Sequence, residues 1–115
     1  MLGAPDPRRL AAFYRELLDY ETADEDPDWV RLVPPGGGTC LSFQLEENFV
    51  RPAWPEEPGQ QQMMMHLDLM VDDLKSAEAR ALELGATRSE HQPQDGVRVY
   101  LDPAGHPFCL FLPGA

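Results

Sequence analysis

The chain has 115 residues, which is enough for one domain with a hydrophobic core and too few for two ordinary domains. Hydrophobic residues make up 43% of the sequence, as is typical of a globular protein. The sequence holds 9 Lys and Arg against 20 Asp and Glu, a formal charge of -11 that disfavours nucleic acid or an anionic membrane as a partner. No apolar run reaches the roughly 20 residues that cross a bilayer, so we expect no membrane partner.

The two cysteines, Cys40 and Cys109, are too few for a disulfide framework. The opening residues, MLGAPDPRR, lack the charged-then-apolar pattern of a secretion signal. A cytoplasmic location is the simplest interpretation of both observations.

The first half of the chain predicts a strand, a helix and three more extended segments. Met1 to Ala4 is a short strand, and Asp6 followed by Pro7 is typical of a helix start. An apolar stripe at spacings of three and four residues extends that helix to about Asp19. Asp24 to Asp28 is predicted to be an acidic turn. Extended segments are predicted at 20–22, 29–33 and 39–45.

The segment 51–62 is rich in proline and is not expected to form a regular element. Two aromatic residues, Phe49 and Trp54, lie beside or within it. They fit either a connector that covers the edge of the core or a loop that closes over a cavity.

The second half repeats the order strand, helix and three extended segments. His66 stands at the entrance of a strand that alternates to Val71, Asp72 and Asp73 supply a helix start, and Gly85 stands where that helix would end. Extended segments are predicted at 87–92, 97–101 and 108–112, the last two separated by the tight turn DPAGHP.

The two halves align as an internal repeat. DPRRLAAFYRELLDYE corresponds to DDLKSAEARALELGAT, and WVRLVPPGGGTCLSFQL corresponds to GVRVYLDPAGHPFCLFL, which matches Arg31 with Arg98 and Cys40 with Cys109. Each half alone would expose a sheet face and a helix stripe, so we expect two βαβββ modules, 1–50 and 63–115, to form one domain over 1–115. The predicted core comprises Phe13, Leu17, Leu41, Phe43, Leu69, Val71, Leu82, Val99 and Leu110.

The paired modules, the DPRRLAAFY opening, the HLDLMVDDL strand start and the DPAGHPFCL close resemble the vicinal oxygen chelate superfamily of glyoxalases, bleomycin-resistance proteins and extradiol dioxygenases. The similarity is greatest to its small glyoxalase-like domains and covers nearly the whole chain. It implies an α+β fold in which a curved mixed sheet surrounds a cleft and the helices lie on the outer face. It also implies a homodimer, for which the exposed edge of the short first strand gives a physical reason.

Metal-dependent members of this superfamily hold a divalent cation with histidines and carboxylates from the first, fourth, fifth and eighth strands. The resemblance assigns His66 to the fifth strand, but Cys109 stands where the closing glutamate is expected. The fourth-strand position is Cys40 or Ser42, and the first-strand position falls at or before Met1. One matching donor does not make a metal site, so we expect no metal ion and no cofactor.

Several interpretations of the polar candidates remain open. His66 is a ligand, a general base or a wall residue of the pocket, and Asp68 is its acid–base partner or a solvated carboxylate. Arg31 and Arg98 either hold an anion or form ion pairs with carboxylates. Cys40, Cys109 and His66 together would form a thiolate-rich zinc set, an alternative that depends on the repeat alignment. The residues interpreted as structural are His91, His106 and the gap-filling run Met63 to Met65.

We therefore predict a small-molecule pocket with apolar walls and a few polar groups, and no assigned catalytic residue. The favoured function is metal-free binding or sequestration of a small molecule. The alternatives are a metal-dependent lyase, isomerase or dioxygenase acting on a small oxygenated substrate, and an assembly module whose cleft is empty. The predicted pocket residues are Arg31, Ser42, Gln44, Trp54, His66, Asp68, Arg98, Tyr100, Cys109 and Phe111.

Overall fold

The computed structural model describes residues 1–115 as two compact units, Met1–Phe49 and Val50–Ala115, called the first unit and the second unit below. Each unit has a four-stranded mixed sheet and one helix. The predicted α+β fold with two βαβββ modules is therefore confirmed. The proline-rich segment 51–62 belongs to the second unit.

The first unit contains β1 (Leu2–Ala4), α1 (Pro7–Leu18), β2 (Glu21–Asp26), β3 (Trp29–Val33) and β4 (Leu41–Leu45). Its strand order is β1-β4-β3-β2, with β1 parallel to β4 and the other pairs antiparallel. The helix begins as predicted, because the Asp6 carboxylate accepts a hydrogen bond of 3.2 Å from the N–H of Arg9. It ends at Asp19, which adopts a left-handed conformation.

Strand β2 replaces the predicted acidic turn. Residues 24–26 pair with β3, and the turn is confined to 27–28, so the prediction of a turn over Asp24 to Asp28 is wrong. All six residues of β2 are exposed. A strand at the edge of a sheet can pair on one side only, and acidic side chains there oppose the addition of another strand. This explains why an acidic segment is extended.

The second unit contains β5 (Leu67–Met70), α2 (Leu74–Leu84), β6 (Thr87–Arg88), β7 (Val97–Leu101) and β8 (Pro107–Phe111). Its strand order, β5-β8-β7-β6, repeats that of the first unit, again with one parallel pair. Of the two residues predicted to start the helix, Asp73 is the cap, because its carboxylate accepts a hydrogen bond of 3.0 Å from the N–H of Lys75. Gly85 ends the helix at φ 117°, a conformation that favours glycine.

The predicted core between helix and sheet is confirmed at Phe13, Phe43 and Leu110, which are buried. Val99 is also buried, but it is aligned with Cys109 and therefore lies on the sheet face opposite to Leu110. Leu82 is wrong, because it is 43% exposed. The buried side of α2 follows spacings of three and four residues, and Leu82 lies one position outside this stripe. The stripe consists of the buried or half-buried residues Leu74, Ala77, Glu78, Ala81 and Leu84.

The remaining residues of the predicted core are half-buried: Leu17, Leu41, Leu69 and Val71.

Two further sequence motifs have clear structural outcomes. Met64 and Met65 are exposed, so the prediction that this run fills a gap is wrong for both. In the DPAGHP turn, the buried Asp102 carboxylate accepts hydrogen bonds from the N–H groups of Ala104 at 3.0 Å and His106 at 2.9 Å. The structural interpretation of that turn is confirmed.

Neither helix combines the length and the apolar character that a transmembrane span requires.

Candidate functional site

Each sheet has one face toward its own helix, the helix face, and an opposite face, the distal face. In the first unit, the ring of Tyr14 from α1 stacks on Phe43 with centroids 5.7 Å apart, so Phe43 lies on the helix face. The side chains next to it alternate to the other side. The distal face of β3 and β4 therefore carries Arg31, Ser42 and Gln44, three of the predicted pocket residues.

In the second unit, Tyr100 lies on the helix face, because its hydroxyl is close to Glu78 on α2. Burial raises the pKa of its hydroxyl to about 12, and the nearby carboxylate of Glu78 on α2 adds to the shift. Tyr100 is aligned with Phe108, and the two rings stack with centroids 5.6 Å apart. The next positions, Asp68, Cys109 and Val99, are aligned with one another on the distal face. The adjacent row of the same face consists of Met70, Val97 and Phe111.

Arg98 and Tyr100 were predicted to share a face with Cys109, and this prediction is wrong. Tyr100 is fully buried on the helix face, and Arg98 donates a hydrogen bond of 2.9 Å to the carbonyl of Val97. Strand β7 has apolar residues on both faces, so alternation alone does not choose between them. A tyrosine ring buries more apolar surface than valine, which favours the observed side.

The internal alignment also changes. Asp6 and Asp73 cap equivalent helices, and the strands before them set the register. Arg31 therefore does not match Arg98, and Cys40 does not match Cys109. Leu2 is equivalent to Leu69, and their parallel strand partners, Phe43 and Leu110, are equivalent to each other. The residues just before those partners, Ser42 and Cys109, also match. Their antiparallel partners, Arg31 and Val99, match as well.

His66, Asp68 and Cys109 come together on the distal face of the second unit. His66 immediately precedes β5, Asp68 follows two residues later on the same side, and Cys109 is aligned with Asp68 on β8. Their potential ligand atoms all lie within 4.8 Å of one another, and His66 Nε2 is 3.1 Å from Asp68 Oδ1. The imidazole and the carboxylate are partly open to solvent, whereas Cys109 is half-buried.

Burial raises the pKa of the Cys109 thiol to about 11, and the charge of Asp68 and a hydrogen bond to it add to the shift. In the absence of a cation the thiol is therefore protonated at neutral pH and can donate to the carboxylate. Because the thiolate is the nucleophilic form, this arrangement does not favour a cysteine nucleophile. It presents a hydrogen-bonded polar group beside apolar residues.

The first unit has no comparable cluster at the equivalent positions. Arg31 donates to the Asp24 carboxylate from Nε at 2.9 Å and from a terminal nitrogen at 2.7 Å, which confirms its interpretation as an ion-pair residue. This pairing raises the pKa of Arg31. Cys40 is exposed and contacts the carbonyl of Gly38 at 3.9 Å. The third donor beside His66 and Cys109 is Asp68, so the predicted zinc set with Cys40 is replaced by a different one.

Trp54 packs edge-on against His91, with ring centroids 5.9 Å apart. Its indole Nε1 is buried and makes no hydrogen bond within the protein. The structural interpretation of His91 stays a prediction. The function of Trp54 as a pocket lid remains a prediction.

The first unit also holds an open cavity of about 530 Å³ that the sequence did not predict as a site. Gln44 lines it, and Trp29 is aligned with Gln44 across the two strands. The alternation of β3 and β4 was a signal for this pairing, but the loop that completes the cavity carries no periodic pattern. The remaining lining residues are Asp28, Leu45, Glu46, Glu47 and Asn48.

The donors of the second unit do not reproduce the four-strand metal centre that the sequence resemblance implies. Cys109 offers sulfur instead of a carboxylate, and the equivalent position in the first unit is Ser42. A neutral hydroxyl is a poor substitute for a charged carboxylate in holding a divalent cation. The residues present therefore do not fit that centre.

The sequence and the fold were compared with known proteins. A search of curated proteins found no significant match. Among solved structures, a glyoxalase/bleomycin resistance protein/dioxygenase family enzyme from Burkholderia phytofirmans PsJN is 18% identical with a TM-score of 0.71, and the match covers 97% of this chain and 94% of that one. The fosfomycin resistance protein FosX from Mesorhizobium loti is 15% identical with a TM-score of 0.68, covering 96% and 86%.

A third similar structure is TnmS3, an antibiotic binding protein from Streptomyces sp. CB03234, which is 24% identical with a TM-score of 0.58 over 98% of this chain and 93% of that one. At these identities the likeness shows the fold. The profile of the glyoxalase-like domain matches residues 1–111, nearly the whole sequence. The chain therefore belongs to the glyoxalase-like domain family.

Proposed function

We propose that this protein binds a small, largely apolar molecule on the distal face of the second sheet, and that its function is binding or sequestration. The observation that carries the proposal is the composition of that face. Apolar residues surround one compact polar cluster, as in most small-molecule sites. The helix faces of both units are filled by core residues and offer no such surface.

The apolar residues of this surface differ in how exposed they are to solvent. Val99 is buried, Val97 and Phe111 are half-buried, and Met70 is 65% exposed. A ligand that covers Phe111 and Met70 would remove apolar area from water, which favours binding. Methionine adapts to irregular shapes, so this surface suits more than one ligand geometry.

The polar part of the surface would orient the ligand. The Asp68 carboxylate is 58% exposed and can accept a hydrogen bond, and the imidazole of His66 beside it can donate one. We therefore expect a ligand that combines an apolar or aromatic body with a hydroxyl, amide or amine donor. Binding needs no nucleophile, in agreement with the protonated thiol of Cys109.

The similar structures support this class of function by fold analogy alone. They include a fosfomycin resistance protein and an antibiotic binding protein. The first-unit residues Arg31, Ser42 and Gln44, together with Trp54, stay predicted pocket residues. Their alanine variants belong in the same binding assay.

A thermal-shift screen of the chelator-treated protein tests the proposal, with fosfomycin, aromatic antibiotics and small hydroxylated aromatics as probes. A ligand at 100 times its Kd stabilises the native state by about 2.7 kcal/mol, which raises Tm by roughly 10 °C in a small domain. Phe111→Ala should weaken the affinity of a hit by at least about tenfold. The control, Leu82→Ala, removes an exposed apolar side chain from α2 and should leave affinity unchanged.

Two results would contradict the proposal. The first is a screen in which no compound raises Tm, and the second is a hit whose affinity is unaffected by Phe111→Ala. Conversion of a bound compound into a product after a divalent cation is added back, and not before, would instead favour the metal-dependent lyase, isomerase or dioxygenase that the sequence left as an alternative.

We also propose that the chain forms a homodimer in a reducing cytoplasm. The short strand β1 lies at the edge of the first sheet and leaves backbone groups for pairing. Both cysteines are free thiols, which suits a reducing compartment. Sedimentation analysis that shows only monomer at high concentration would contradict the dimer.

A further inference from the structure

The second unit holds a polar cluster whose chemistry exceeds what hydrogen bonding to a ligand requires. His66, Asp68 and Cys109 offer an imidazole nitrogen, a carboxylate oxygen and a sulfur. These are the three kinds of protein ligand that zinc accepts. Magnesium and calcium prefer oxygen ligands alone, so the mixed set discriminates against them.

We propose that His66, Asp68 and Cys109 form a zinc site contained entirely in the second unit. It shares the positions of His66 and Cys109 with the centre implied by the sequence resemblance, but a thiol replaces the closing glutamate, and the third donor is Asp68 instead of a residue of the first module. The expectation that the chain binds no metal rested on counting His66 as the only donor. The geometry removes that premise, because it adds Asp68 and Cys109 to the same cluster.

The distances suit a four-coordinate ion. Ligand atoms around tetrahedral zinc are about 3.5 Å apart, given metal–ligand distances of about 2.0–2.3 Å. Here the three donors lie within 4.8 Å of one another, and the nitrogen and oxygen are already 3.1 Å apart. Small side-chain rotations are therefore enough to bring them to coordinating distances.

The scaffold holds the donors in place. Asp68 and Cys109 are aligned on neighbouring parallel strands, β5 and β8, and His66 directly precedes β5. Sites built on strands are positioned more accurately than sites on loops. The formal charge of -11 also raises the local concentration of cations.

Three protein ligands would leave one position of a tetrahedral zinc ion open. An open position accepts water or an oxygen of a small molecule. The site faces the same distal surface that we propose as the ligand site, so a bound ion would add a polar anchor there. The first unit has Met1 and Ser42 at the positions of Asp68 and Cys109, which predicts one site per chain.

The test uses the full chain, stripped of metal with a chelator and then titrated with zinc alone. Calorimetry should show one zinc ion per chain. Asp68→Asn keeps the size of the side chain, and Cys109→Ser keeps a hydroxyl in place of the thiol. Each should weaken zinc affinity by at least about tenfold. The matched controls are Cys40→Ser and His91→Gln, which change the same residue types outside the cluster and should bind like the parent.

Cobalt(II) supplies a spectroscopic test of the ligand set. Loading with cobalt should produce a sulfur-to-metal charge-transfer band that Cys109→Ser abolishes and Cys40→Ser retains. Circular dichroism and Tm of the metal-free variants verify folding, and the exposed position of Asp68 makes Asp68→Asn the safest of them.

The proposal is overturned if the stripped chain takes up no zinc, if the cluster variants bind as well as the parent, or if the charge-transfer band depends on Cys40. Because the ligand screen is run on chelator-treated protein, failure of the zinc site leaves the proposed small-molecule binding as a separate result.

Discussion

The two units share one scaffold and differ in what the distal face carries. Both place a strand, a helix and three further strands in the same order and pack stacked aromatic pairs on the helix face: Tyr14 with Phe43, and Tyr100 with Phe108. On the distal face, the first unit has Arg31 and Ser42 where the second has Val99 and Cys109. Packing constrains the helix face, whereas the distal face is free to acquire different chemistry.

The helix faces themselves also differ in how well they are filled. In the first unit, α1 buries Leu10, Ala11, Phe13 and Tyr14. In the second unit, α2 buries only Ala81 and exposes Leu82. The first helix is therefore the better anchored one, and the second unit depends more on its sheet residues.

The largest expected effect tests whether the two cores are equivalent. Phe43 and Leu110 occupy matching positions and are almost completely buried. Phe43→Ala should destabilise the protein by about 3–5 kcal/mol and Leu110→Ala by about 2–5 kcal/mol, because each leaves a cavity. Urea unfolding measures both. A loss below about 1 kcal/mol for either would mean that its strand face has been assigned wrongly.

The ends of the two helices provide the next comparison. Gly85 ends α2 at φ 117°, and an added Cβ would meet Pro103 at an ordinary distance of 3.7 Å. Gly85→Ala should therefore cost about 1–2 kcal/mol from backbone strain alone. Asp19, at φ 57°, already tolerates the left-handed conformation at the end of α1, so Asp19→Gly should be neutral or stabilising. Equal effects of the two changes in thermal unfolding would contradict this assignment.

The two cysteines, one in each unit, should differ in the reactivity of their thiols. Cys40 is exposed, whereas burial and Asp68 raise the pKa of Cys109 to about 11. In metal-free protein at neutral pH, Cys109 should react with a thiol reagent at least roughly tenfold more slowly than Cys40. Rates measured on Cys40→Ser and Cys109→Ser assign each phase. Faster reaction at Cys109 would show that its thiol is not held protonated.

A smaller effect concerns the hydroxyl of Tyr100. It is buried beside the Glu78 carboxylate but does not reach hydrogen-bonding geometry with it. Tyr100→Phe removes this unsatisfied group and keeps the ring, so it should stabilise the protein by about 1 kcal/mol. Tyr100→Leu is the control that loses the stacking on Phe108. Destabilisation by Tyr100→Phe would show that the hydroxyl has a partner in solution.

The sequence by itself determined the elements and their order. Asp6 and Asp73 predicted the helix starts, Gly85 predicted a helix end, and alternation predicted the strands that contain Phe43 and Leu110. These signals are local, because a cap or an alternating strand acts through neighbouring residues. The repeated order of elements therefore predicted the two modules, and the resemblance of the sequence motifs identified the fold.

Tertiary structure decided which residues meet. Strand β7 has apolar side chains on both faces, and only pairing with β8 placed Tyr100 on the helix face and Val99 beside Cys109. The exposed acidic strand β2 needed β3 as its partner before it could be distinguished from a turn. Cys109 is 41 residues from Asp68 and 43 from His66 along the chain, and strand register alone brings its thiol within reach of the other two side chains. Strand register depends on contacts between distant segments, and local sequence patterns do not contain that information.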